Sequence, residues 1–315
     1  MILAETAGRA ELFEVPRALY IHIPFCTSRC AYCDFHSFAL GRCAGGIQNW
    51  NEYAQAYVAV LLRRAAALKA CLAEPLKTLY IGGGTPTLLP DEHFSALVGR
   101  LSDLFGASLE EWTVEANPES LSGEKIALMA AGGVNRLSIG IQSMDDGELE
   151  TLGRRARLTD NEKALSLARG SGMKVSADLI AGIPGQRSGT LESSVRSVLD
   201  AGVDHVSVYD LSIEKGTELE RKLRQGALRL PDEDSAYEAR KKAEGLLEAA
   251  GCLRYEVSNF SPPGAESLHN AAYWSMNSYI GIGSGAVSSL MVSEDADSAL
   301  ARGLGSNGDD GSAAG

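Results

Sequence analysis

No run approaching the roughly 18 consecutive apolar residues of a membrane-spanning helix occurs in this 315-residue chain. Cations are in deficit: Lys and Arg total 29 against 41 Asp and Glu, a net charge of −12 with a pI near 5.0. That balance argues against a nucleic-acid backbone as the main partner, because phosphate binding needs clustered cations. It argues equally against a polybasic membrane anchor. The stretch from Met1 to Arg17 carries acidic residues and lacks an apolar core flanked by positive charge, so it does not read as a secretory signal. Cysteines number six and form no even framework, which points to a reducing cytoplasm. The remainder is ordinary globular composition, 22% charged and 45% hydrophobic. The length suits one large barrel or two smaller domains.

What is present is a knot of three cysteines, Cys26, Cys30 and Cys33, spaced C-x3-C-x2-C. Three thiolates can hold three irons of a [4Fe–4S] cube and leave the fourth iron open, where a small molecule can bind through an amine and a carboxylate. Zinc usually takes four protein ligands in two separated pairs, and no second pair exists. Three neighbouring cysteines cannot pair off into disulfides among themselves. Incidental placement is the remaining alternative. Cys43, Cys71 and Cys252 are scattered; Cys71 ends a helical pattern and reads as a small apolar filler, and Cys43 lies in a Gly-rich loop.

Short β-rich runs alternate with longer helical patterns. The pattern predicts strands at Ala18–Ile23, Thr78–Ile81, Glu111–Ala116, Arg136–Ile141, Lys174–Ile180 and His205–Asp210. Helices are expected at Asn49–Leu72, Asp91–Phe105, Ser122–Ala131, Thr159–Ser171, Ser188–Ala201 and Asp232–Ala250. Gly106, Gly132, Gly172, Gly202 and Gly251 stand where left-handed C-caps belong. Asp91, Ser122 and Asp232 stand at N-caps or first turns. Six strand–helix repeats predict an α/β fold with a parallel sheet and right-handed crossovers, an open barrel where eight would close it. The cysteines follow the first strand, and ligands collect where parallel strands end.

The lead-in Tyr20-Ile21-His22-Ile23-Pro24-Phe25-Cys26, with Cys30-Ala31-Tyr32-Cys33-Asp34-Phe35 after it, resembles the radical S-adenosylmethionine (SAM) superfamily and its coproporphyrinogen-oxidase-like family. The resemblance implies a partial (β/α)6 TIM-like barrel with its cofactors at the strand C-terminal ends. It implies a [4Fe–4S] cluster on the three cysteines and SAM on the open iron. One electron from the cluster then cleaves a carbon–sulfur bond and gives a 5′-deoxyadenosyl radical, chemistry that belongs to the cofactors while the protein orients them. The loop Gly82-Gly83-Gly84-Thr85-Pro86 is weak evidence alone, though glycines allow close backbone approach; in the family such a loop contacts the SAM amino group, so Gly83, Gly84 and Thr85 carry over. Tyr20, Glu115, Gln142, Arg154, Asp178 and Leu211 match family SAM-binding positions. From residue chemistry alone, Glu115 can accept from a ribose or an ammonium or be a solvated strand-end acid. Asp178 inside an apolar strand needs a partner or ligand. Arg154 can fork to a carboxylate or sit on a helix surface.

Two details resemble the haem-chaperone branch, HemW, over the oxidase branch. Phe35 stands where the oxidases have a fourth cysteine, and His269-Asn270-Ala271-Ala272-Tyr273-Trp274 matches an H-N-x-x-Y-W string of that branch. A neutral imidazole is a good haem ligand and nearby aromatics can cover a porphyrin face, so His269 is the expected haem ligand, with a core histidine as the alternative. Departures are Ala156 and Arg157 after Leu-Gly-Arg, and Val287, where the branch has histidines. The expected organisation is an N-terminal extension (1–17), the barrel (18–260), a remnant of the chaperone C-terminal region (261–290), and a disordered tail (291–315) rich in Gly, Ser, Asp and Ala, with the family's C-terminal domain cut short. The expected partners are haem and a haem-accepting protein. Transient membrane association and a homodimer stay open. The competing activities are radical oxidative decarboxylation of coproporphyrinogen III and radical chemistry on an unrelated small molecule; a zinc-binding structural protein is a further alternative.

Overall fold

The computed structural model describes residues 14–40 and 49–291. Cys43, nearly all of the expected extension and all but the first residue of the expected tail lie outside the described residues. The chain opens with β1 (Ala18–Ile23) and a short parallel pair, β2 (Phe25–Cys26) and β3 (Phe38–Ala39). Then come α1 (Trp50–Cys71), β4 (Thr78–Gly83), α2 (Asp91–Phe105), β5 (Glu111–Ala116), α3 (Gly123–Gly132), β6 (Arg136–Gln142), α4 (Asp146–Thr151) and α5 (Leu158–Arg169). They are followed by β7 (Lys174–Ala181), α6 (Thr190–Asp200), β8 (His205–Asp210), α7 (Glu218–Arg224), α8 (Glu233–Ala249), β9 (Leu253–Arg254), β10 (Asn259–Ser261), α9 (Leu268–Trp274) and β11 (Tyr279–Ile282).

The six expected strands lie side by side and parallel as β1-β4-β5-β6-β7-β8. The sheet goes further than expected at both ends. β11 adds a parallel strand against β1, while β10 and β9 add an antiparallel pair beyond β8. The expected domain boundary at residue 260 therefore falls inside a strand, and residues 261–290 pack into the barrel body. Among the described residues, no helix is long and apolar enough to cross a membrane.

Each strand alternates with period two. One face supplies Leu19, Ile21, Leu79, Ile81, Trp112, Val114, Leu137, Ile139, Val206 and Val208, all buried under the helices. Helix α1 answers with Ala54, Val58, Leu61, Ala65 and Leu68 at helical spacing, and α2 with Phe94, Leu97, Val98, Leu101 and Phe105. Burying each large side chain is worth about 1.5–3 kcal/mol. The other strand face points into the barrel and is polar: Tyr80, Thr113, Glu115, Arg136, Ser138, Ser176, Asp178, His205 and Ser207 all line one cavity. Parallel strands buried on both faces are ordinarily apolar throughout.

Local signals set the helix ends, with two shifts. Ser122 and Asp232 cap α3 and α8 by accepting from Lys125 N and Ser235 N, while Asp91 is the first residue of α2 behind Pro90. Gly172, Gly202 and Gly251 are left-handed as expected. Gly106 is not, because α2 runs on into a 3-10 turn, and the left-handed cap of α3 is Gly133 in place of Gly132. Gly132 is instead where α3 meets α2: a Cβ there would lie 2.0 Å from Val98 Cγ1.

Candidate cofactor site at the barrel mouth

The cysteine loop leaves the C-terminal end of β1, and two other connections fix it. Ala31 N donates to Leu152 O at 2.8 Å, and Leu219 N to Ala31 O at 2.8 Å. Gly153, at φ +68°, permits the first contact, since a Cβ would stand 2.9 Å from Ala31 N. The next residue, Arg154, then enters the site, and is buried rather than on a helix surface. Its Nη1 reaches Cys30 Sγ at 3.6 Å, and its Nη2 donates to Asn117 Oδ1 at 2.9 Å and Gly140 O at 2.7 Å. Asn117 in turn donates to Thr85 Oγ1 at 2.9 Å, and Thr85 donates to Cys26 Sγ at 3.7 Å. A chain of hydrogen bonds thus runs from Cys26 through Thr85, Asn117 and Arg154 to Cys30. Sequence reasoning missed Asn117.

The glycine loop works by close packing. A Cβ on Gly82 would lie 2.6 Å from the Glu115 carboxyl carbon, and one on Gly83 (φ +105°) would lie 2.3 Å from the His22 ring. Three of its N–H groups have partners within the protein. Gly83 N donates to Glu115 Oε2, Gly84 N to Ile23 O and Thr85 N to Phe25 O. Glu115 also accepts from the Tyr80 hydroxyl at 2.6 Å, a second residue that sequence reasoning missed. Burial outweighs those two hydrogen bonds and lifts the Glu115 pKa to about 7. Tyr20 donates to His22 Nδ1 at 3.0 Å, because His22 Nε2 carries the proton that goes to His36 O at 2.8 Å.

Asp178 accepts from Ser138 Oγ at 3.3 Å, and burial raises its pKa. Gln142 sits on a bulge of β6 with φ 66°, a conformation that is uncommon outside glycine. Asn161 holds it there by donating to the carbonyls on either side, Ile141 O at 3.1 Å and Ser143 O at 2.8 Å. Leu211 joins a small apolar cluster of Leu152, Ile180, Ile183 and Tyr32 beside the mouth. Cys26, Cys30, Cys33, Tyr20, Gly83, Gly84, Glu115, Gln142, Arg154, Asp178 and Leu211 all line the same cavity of about 580 Å³. Thr85 stands just behind the wall, 1% exposed.

His269 lies at the opposite end of that cavity, where the strands begin. Its Nδ1 shares a 2.8 Å hydrogen bond with Thr78 Oγ1, its Nε2 a 2.9 Å bond with the Tyr273 hydroxyl, and its ring stacks on Tyr80. The ring is buried, and burial takes its pKa down to about 3. Helix α9 as a whole plugs the floor. Glu111 accepts from Ser267 Oγ, Leu268 N and His269 N, and its partner Arg136 holds the carbonyls of Ala265 and Glu266. His269, the expected haem ligand, has both ring nitrogens engaged with Thr78 and Tyr273 and is 1% exposed.

Residues 20–198 match the radical SAM superfamily. The haem chaperone HemW of Bacillus subtilis (strain 168) is 38% identical over 274 residues, 86% of this chain and 70% of that protein. The chain belongs to the HemW family of radical SAM proteins. A HemW of Mycobacterium tuberculosis (strain ATCC 25618 / H37Rv) is 39% identical over 90% of this chain and 72% of its own length. The mitochondrial radical S-adenosyl methionine domain-containing protein 1 of Bos taurus is 38% identical, and the chain spans 60% of it. The Escherichia coli coproporphyrinogen III oxidase HemN, a radical SAM enzyme, shares the fold with a TM-score of 0.72 at 22% identity, over 89% of this chain and 66% of that one.

Membership of a radical SAM family implies a [4Fe–4S] cluster and SAM, and the donor set of this HemW-family chain fits them. Cys26, Cys30 and Cys33 are free thiols, part-exposed at one cavity mouth. Burial raises the pKa of Cys26 and Cys33, so cluster insertion must displace protons. Among the described residues, no three His, Cys, Asp or Glu side chains converge on a single metal ion; a cube asks instead for one thiolate per iron. At the place of an oxidase-like fourth cysteine, Phe35 is 65% exposed.

Proposed function

We propose that this chain is a haem chaperone built on a radical SAM site. Cys26, Cys30 and Cys33 hold the [4Fe–4S] cluster; Tyr20, Gly83, Gly84, Thr85, Glu115, Gln142, Arg154, Asp178 and Leu211 hold SAM; and haem is bound and passed to a haem-accepting protein. The cluster supplies one electron to the SAM sulfonium when both are bound, while these residues orient the pair and exclude water. The protein acts in the cytoplasm, a reducing compartment in which free thiols persist. The observation that carries the chaperone reading is the rim beside the cysteines, where an exposed phenylalanine, Phe35, replaces a fourth thiol.

That rim also offers the imidazole. Of the five histidines, His22, His93, His205 and His269 are buried, and His36 alone is exposed. The Phe38 ring lies 5.1 Å from it at 83°, and Phe35 and Phe38 are 65% and 46% exposed. Aromatic faces next to an accessible imidazole suit a porphyrin bearing iron. The bond from His36 Nε2 to Ser284 Oγ, 2.9 Å, is the hydrogen bond that ligation has to displace.

Haem titrated into the anaerobically reconstituted protein, followed at the Soret band, tests this. One-to-one binding is expected in the parent and in His269→Ala, and its loss in His36→Ala. Loss in His269→Ala with the cluster retained would return the ligand to the floor of the barrel. No binding by the parent sinks the chaperone reading, and stoichiometric decarboxylation of coproporphyrinogen III would replace it with the oxidase activity.

A further inference from the structure

The mouth leaves the lower half of the cavity unused. Filled barrels place branched apolar side chains in their inner layers. Here the inward positions include Thr113, Ser138, Ser176 and Ser207, and the cavity runs past them from the cysteines to α9. Three polar atoms on this lower wall have no hydrogen-bond partner among the described residues: Thr113 Oγ1, His205 Nδ1 and Asn259 Oδ1. Their residues are 1%, 3% and 6% exposed. Buried polar groups find partners in roughly nine cases of ten or more, so orphans gathered on one cavity wall call for an occupant.

The protons on this wall can be placed. Tyr255 Oη accepts from Ser267 N and from Asn270 Nδ2, each at 3.4 Å. Its own proton therefore goes to His205 Nε2, 2.9 Å away. Burial, reinforced by the charge on Arg136, keeps the His205 ring neutral, with a pKa near 3. A neutral ring accepting at Nε2 carries its proton on Nδ1, so His205, which lines the cavity, holds an N–H donor with no partner among the described residues. Arg136 directs Nε to Glu111, one Nη1–H to Ser176 and its Nη2 to two carbonyls, which leaves one N–H of the guanidinium. Ser176 accepts from Arg136, so its hydroxyl proton is available. Strand register sets Thr113 beside Arg136 and Ser176 beside His205, and the Asn259 amide can turn its NH2 inward.

We infer that the barrel floor is a second binding site, distinct from the cysteine mouth, for a small carboxylate held by Thr113, Arg136, Ser176, His205 and Asn259. Donors predominate, and an ionised acceptor makes the strongest use of them. A phosphate dianion fits poorly, because Arg136 is already paired with Glu111 and the Asp178 and Glu115 carboxyls line the same cavity. The cavity is about 580 Å³ in all and is shared with the mouth, so the occupant is a few carbons long.

Propionate is the probe, with propionamide as its uncharged isostere. Titrated into the full reconstituted chain, propionate should raise Tm saturably and propionamide should not. Thr113→Val preserves volume and removes one donor, and should weaken the propionate effect about tenfold or more, with the cluster's visible absorption confirming that the variant is folded and loaded. Crystals soaked in propionate should show a carboxylate against Thr113 and His205. The site is refuted by no saturable shift, by an equal shift in Thr113→Val, by an equal response to propionamide, or by water alone at the floor of soaked crystals. The Soret titration is run without propionate, so failure here leaves the haem reading standing.

Discussion

Glu115 shows how a single side chain ties loop geometry to ligand affinity. Gly82 vacates the space it fills, Gly83 N and Tyr80 donate to it, and burial still brings its pKa to about 7. If only the carboxylate form receives SAM, affinity should rise about tenfold between pH 6 and 8 as the competent fraction grows; equilibrium dialysis checks this, and Glu115→Gln should flatten the profile. The stability sign is opposite. A folded pKa above the unfolded value means that the native state holds the proton more tightly, so this contribution is full below about 4.5 and is lost as pH rises through about 7. Denaturant unfolding of the parent against Glu115→Gln at pH 5 and 8 should show that loss in the parent alone. Asn117 is the other residue with wide reach, since it bridges Thr85 and Arg154 beneath two cysteines. Asn117→Leu should cost about 1–3 kcal/mol, read from urea unfolding, and weaken SAM binding; an unchanged midpoint and affinity would remove Asn117 from the site.

Among the elements, α9 differs most from its sequence reading. The H-N-x-x-Y-W string suggests a ligand, yet in the fold His269, Asn270 and Tyr273 bond to Thr78, Tyr255 and each other. The clamp beneath them is the buried Glu111–Arg136 pair, at 2.8 Å. Glu111→Ala leaves a buried guanidinium unpaired and should cost about 3–5 kcal/mol. Hydrogen exchange at the α9 amides should accelerate with it, and parent-like exchange would show that α9 is held some other way. The six parallel strands are legible from alternation and flanking glycines, and three of them match the structure end to end: Ala18–Ile23, Glu111–Ala116 and His205–Asp210. Strand β11 is not, because Gly281 interrupts the pattern, and pairing with β1 and a bridge to Ser289 hold Tyr279–Ile282 extended.

For the whole molecule, the sequence motifs name the mouth and stay silent on the interior. Cysteines, glycines and Arg154 carry local spacing, whereas Tyr80 and Asn117 act on partners 32 to 37 residues away and leave no local mark. One signal for the cavity is readable in advance: Ser138, Ser176 and Ser207 at inward positions of strands whose outward positions are apolar, a pattern that a filled parallel barrel has no use for. The floor plug has a further consequence, in the order of synthesis. Chains fold from the N-terminus as they emerge, and the residues that shut the underside come late: Thr78 waits 191 residues for His269, and Arg136 waits 129 for Ala265. A nascent chain arrested before Ala265 already owns its cysteines and the six strands β1 and β4 to β8, but not the residues that pack beneath them. During that interval the floor residues face solvent from below, and the arrival of α9 removes that exposure.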